Sequence, residues 1–151
     1  MCSEKIVMKI TSSFFGFLIL TGLSSTVFAE LVVEGAYVRG LPPGVDTTSV
    51  YMTLRNTGDT AMEMTGASSP IAAEAMLHTT MNHNGMLHMQ HVMSVSIPAH
   101  GELVLESGGL HLMLTGLKQN VAVGTDVEVM LQFSDGSTHQ LSLPVRSVLD
   151  E

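Results

Sequence analysis

The chain has 151 residues, 45% of them apolar, with a formal charge of −8. That is one domain's worth of chain, and it offers no basic stripe for nucleic acid. Its single cysteine, Cys2, excludes an internal disulfide framework.

Residues 1–29 read as a cleaved secretory signal peptide. Lys5 and Lys9 give a positive start, Phe14 to Leu23 is an apolar run, and Val27-Phe28-Ala29 offers a small-residue cleavage site. A spanning helix needs about 20 apolar residues, roughly twice this run, which disfavours a membrane anchor. Cys2 precedes the run, so it is not placed like a lipoprotein cysteine and is expected to leave with the peptide. The expected mature domain is 30–151, exported and without a membrane span. Four Lys/Arg against thirteen Asp/Glu give it a charge of −9. Lacking cysteine, it must be held by an ordinary core, which about 120 residues can bury.

Along the mature chain, turn signals recur at intervals of roughly eight to twelve residues, as in all-β domains. In order they are Pro42-Pro43-Gly44, Asn56 to Asp59, Ser68-Ser69-Pro70, Asn84-Gly85, Pro98 to Gly101, Ser107-Gly108-Gly109, Gly124-Thr125-Asp126 and Asp135-Gly136. Between them, Ser49 to Arg55 alternates. Val127, Val129, Leu131 and Phe133 form one apolar face, and Leu141, Leu143 and Val145 form another. Period-two patterning without a long amphipathic helix predicts a β-sandwich or barrel of short strands.

Asn84-Gly85 favours a type I′ hairpin turn. A two-residue loop there sets His78 opposite His91 and Thr80 opposite Met89. His78 and Met89 become diagonal neighbours on one face, about 7–8 Å apart at the backbone. His111 and Met113, separated by Leu112, also share a face if they lie on a strand.

Two biases meet here. Ten of the twelve methionines lie beyond residue 29, and six of the seven histidines fall between His78 and His111. His78, Met89, His111 and Met113 stand with ten, twenty-one and one residues between them. Thioether sulfur is soft and favours copper(I), and imidazole accepts copper in both oxidation states. Zinc sites draw on Cys, His and carboxylates instead, and calcium wants oxygen. Singly, a methionine reads as core filler and a histidine as a surface residue. The four are candidates because two independent strand patterns bring them onto shared faces. Met52, Met62, Met64, Met76 and Met130 have no evident partner histidine and read as core or surface. Met81, His83, Met86, His88 and His91 are either solvent-facing or weaker ligands. His100 and His139 are expected in or near turns, exposed.

At this point the sequence resembles the PCuAC periplasmic copper chaperones. The likeness runs through Ala36-Tyr37-Val38-Arg39, Pro42-Pro43-Gly44, Val50 to Leu54, Asn56-Thr57-Gly58, Gly66 to Pro70, Gly85-Met86, Met89 and Ile97-Pro98-Ala99. It ends on Gly109 to Leu117. The family's metal motif has the spacing just described, so the resemblance implies His78, Met89, His111 and Met113 as copper ligands. It implies an all-β, cupredoxin-like Greek-key β-sandwich of short antiparallel strands, and a monomeric, non-enzymatic copper(I) carrier in the periplasm. It also implies delivery to a copper-accepting protein, such as cytochrome c oxidase subunit II or a Sco-family assembly protein. Thr79-Thr80 departs from the acidic residue and Met that relatives often carry. The chain stops at Asp150-Glu151, where some relatives continue into a His/Met-rich tail.

Rival readings stay open. A blue-copper site needs a cysteine thiolate, which residues 30–151 lack. A copper enzyme would need histidine pairs over several strands. A copper buffer or resistance protein would use the same four residues as a chaperone. A metal-free secreted binding module would need none of them.

Overall fold

In a computed structural model, residues 31–147 are described. The expected signal peptide, 1–29, and the end at Asp150-Glu151 lie outside them. Ten strands follow one another: β1 Leu31–Arg39, β2 Thr47–Asn56, β3 Met62–Ser68, β4 Glu74–His83, β5 Met86–Val92, β6 Val95–Ile97, β7 Glu102–Leu105, β8 Leu110–Thr115, β9 Asp126–Phe133 and β10 Thr138–Arg146. Each predicted turn cluster falls at or between strand ends. No helix occurs among the described residues.

The strands form a cupredoxin-like β-sandwich. One layer runs β5-β4-β8-β2-β1, with β7 continuing along the β2 edge that β8 leaves. The other runs β10-β9-β3-β6. Alternation decides which side chains enter the space between them. From the first layer, Val50, Leu54, Leu77, Leu112 and Leu114 are buried. From the second, Met64, Ile97, Val129, Leu131 and Val145 meet them in one cluster.

Strand pairing is not wholly antiparallel, contrary to the expectation. β1 and β10 join the layers in parallel, Val38 opposite Val145 and Arg39 opposite Arg146. No hairpin turn links these two strands, so nothing local forces them to run in opposite directions.

The β4–β5 hairpin follows the register expected from its turn. His78 pairs with His91, Thr80 with Met89 and His83 with Met86. Asn84 and Gly85 have φ of 53° and 83°, the two positive values that a type I′ turn requires.

Candidate metal centre

β4 and β8 lie side by side with Met76 opposite Met113, Leu77 opposite Leu112 and His78 opposite His111. Leu77 and Leu112 point into the core, 1% and 0% exposed. Alternation therefore sends Met76, His78, His111 and Met113 to the other face. The hairpin register adds Met89 and His91 to that face, at its β5 side. Three adjacent strands thus carry all four candidate ligands, locked in phase by the core leucines between them.

His78 Nδ1 lies 3.0 Å from Met113 Sδ. The His78 ring stands edge-on to His111 at 6.3 Å between centroids, and edge-on to His91 at 5.8 Å. His111 is buried although it sits on the outer face. Its Nδ1 donates to the Gly109 carbonyl oxygen at 3.0 Å, which fixes the tautomer and leaves Nε2 with a free lone pair. The same carbonyl accepts the Thr80 backbone N–H at 3.1 Å. It holds β4 beside β8 at the point where their pairing ends.

Burial pushes the His78 imidazole below its ordinary value of 6.5, and His111 and His91 push it the same way. A ring held neutral offers a lone pair to a metal.

His78, His111 and Met113 are therefore brought together. Met89 stands apart at the outer side of the same face, 62% exposed and diagonal to His78. Among the described residues no group of three or more His, Cys, Asp or Glu side chains is arranged to hold a metal ion. A site here must draw on thioethers, and that donor set suits a soft monovalent ion better than zinc or calcium.

Two expectations need correction. Met76 does have neighbouring histidines: it shares a face with His78, two residues along β4, and faces Met113 across the ladder. Period two from His78 was the available signal for it. His139 lies near the Asp135-Gly136 turn as expected, but it is not exposed. It lies in β10, half-buried, with its ring edge-on to Phe133 at 5.4 Å between centroids. His100 is exposed as expected and its Nε2 lies 2.8 Å from Asp59. The Gly109 carbonyl was beyond reach of sequence reasoning, because backbone acceptors carry no residue signature.

Comparison with known proteins gives four findings. The LpqE-like lipoprotein family model matches residues 31–145. A protein of Leifsonia xyli subsp. xyli (strain CTCB07), named as lipoprotein Lxx21020, is 38% identical over 115 residues, 76% of this chain and 68% of that one. Among solved structures, CuI-DR1885 from Deinococcus radiodurans superposes with a TM-score of 0.65 at 37% identity, over 82% of this chain and 83% of that one. The copper-bound PCuAC domain from PmoF2 superposes with a TM-score of 0.67 over 79% of this chain and 94% of that one. At 18% identity this last likeness concerns the fold alone.

Proposed function

This chain belongs to the LpqE-like family, which is PCuAC-related, and from that premise we propose that it is a copper(I) chaperone of the cell envelope. The ion is cargo, held by His78, Met89, His111 and Met113. The observation that carries this reading is the meeting of His78 Nδ1 and Met113 Sδ at 3.0 Å beside the oriented, buried His111. The copper named for CuI-DR1885, at 37% identity, and the lipoprotein name of the Leifsonia relative support the cargo and the envelope location.

In this reading each residue has a separate task. His111 is the anchor, its ring already aimed by Gly109. His78 and Met113 supply a borderline nitrogen and a soft sulfur from neighbouring strands. Met89, exposed on the hairpin, closes the set from outside and is the first to leave. A carrier needs such asymmetry: an acceptor's ligands must enter as the donor's depart, and a fully enclosed ion could not be handed on.

Residues 1–29 act as the export signal, and 30–151 form the carrier, working in the periplasm. The recipient is a copper-accepting protein, with the copper centre of cytochrome c oxidase as the first candidate. The test is to mix the copper(I)-loaded protein with an apo oxidase copper domain and follow the metal. Transfer within the mixing period supports a chaperone. Retention of the ion by this chain would make it a buffer and overturn the delivery role.

A further inference from the structure

The same hairpin carries a second His/Met set on its reverse face. Met81 is directly opposite His88, and His83 is directly opposite Met86. Residues 81 and 83 are two apart on β4, as 86 and 88 are on β5, so all four side chains project to one side. That side is opposite to Met89 and His91. Cβ atoms of facing residues are about 4.5–5.5 Å apart, and the second pair lies about 7 Å further along the strands. Flexible thioethers and imidazoles at four such corners can converge on one ion.

This part of the hairpin has no core to serve. β4 pairs with β8 only as far as Thr79 opposite Leu110. Beyond that, the hairpin continues as a two-stranded ribbon, and residues 81–91 are all exposed. Met81 and Met86 are 53% and 62% exposed. Methionine as gap-filler needs a gap, and none exists here. A bare ribbon is also marginally stable by itself, and a ligand clamping both strands would favour its closed register.

We propose that Met81, His83, Met86 and His88 form a second, weaker copper(I) site on the outer face of the β4–β5 hairpin. The donor set is again two thioethers and two imidazoles, which selects a soft monovalent ion. Weakness follows from the setting. Among the described residues no carbonyl partner like Gly109 aims His83 or His88, and four exposed side chains must be ordered at once. His88 and Met89 are consecutive on β5, so the two sites sit back to back across one strand.

The identity of the ion rests on the proposed function, whereas the location of the site does not. The experiment is a copper(I) titration of the protein against a competing chelator, followed through the methionine methyl resonances. The first equivalent should shift Met113 and Met89. A second, bound at least tenfold more weakly, should shift Met81 and Met86. The double variant Met81→Leu, Met86→Leu should lose the second equivalent and keep the first unchanged. Conversely, His111→Asn with Met113→Leu should lose the first while Met81 and Met86 still respond. A wild type that stops at one equivalent would overturn the second site, as would a second equivalent that survives in the Met81, Met86 variant. A response at Met81 and Met86 without one at Met113 would instead overturn the first site and leave this one standing.

Discussion

His78 Nδ1 and Met113 Sδ lie 3.0 Å apart although 35 residues separate them in sequence. Taking nitrogen and sulfur bond lengths typical of tetrahedral zinc, two ligands on one ion would stand about 3.5 Å apart. The pair therefore needs to open by only about half an ångström to admit a metal. In the proposed ligand set this pair would take up the ion without rebuilding the sheet.

Removing either of these groups should be costly. His78→Ala or Met113→Leu should weaken copper(I) binding by more than the 10–100-fold typical for loss of an outer-shell partner. Met76→Leu, on the same face but outside the proposed set, should change affinity less than threefold. Chelator competition on the three variants measures this. Equal losses for Met76→Leu and Met113→Leu would mean that Met76 is a ligand.

No thiol should take part. Residues 30–151 contain no cysteine, so alkylation should leave copper binding unchanged. The copper(II) form should lack the intense blue band of a thiolate–copper bond. Appearance of that band would exclude the proposed ligand set.

Acid should release the ion. Histidine must be neutral to ligate, whereas methionine has no proton to gain. At pH low enough to protonate histidine, affinity should fall with a limiting slope of about two log units per pH unit. The lowered pKa of His78 keeps that nitrogen available to lower pH than a free histidine would. The same shift has a consequence for the apo protein. The unfolded chain takes up the His78 proton first, so stability should decline as pH falls below 6.5 and stop declining once the folded ring has also titrated. His111→Met should flatten the affinity profile. A pH-independent wild type would show that neither histidine binds copper.

The core leucine between the candidate ligands His111 and Met113 should matter for stability. Leu112 is fully buried, and Leu112→Ala should destabilise the fold by about 2–5 kcal/mol. Urea unfolding reads this directly. Folded variant should still bind copper(I), because His111 keeps its Gly109 partner. Binding lost without any loss of stability would contradict the division of labour between the two faces of β8.

Much of this centre is fixed by short-range rules. Asn84-Gly85 dictates a type I′ turn, and that turn alone puts His78 opposite His91 and Met89 diagonal to His78. Period two puts His111 and Met113 on one face, and it also reaches Met76. What local rules cannot supply is which strand lies beside which. The pairing of β4 with β8 brings His78 to His111, and it is settled by burial of Leu77 against Leu112 and Leu114 under the second layer. The parallel junction of β1 with β10 is likewise a consequence of closing that core. So is the Gly109 carbonyl that orients His111, since it is placed by the β7–β8 turn and by Thr80 on the neighbouring strand. Side-chain type and turn chemistry act over a few residues and can be read along the chain. Strand neighbours separated by dozens of residues are chosen by the hydrophobic burial of the whole sandwich, and that choice exists only once the chain has folded.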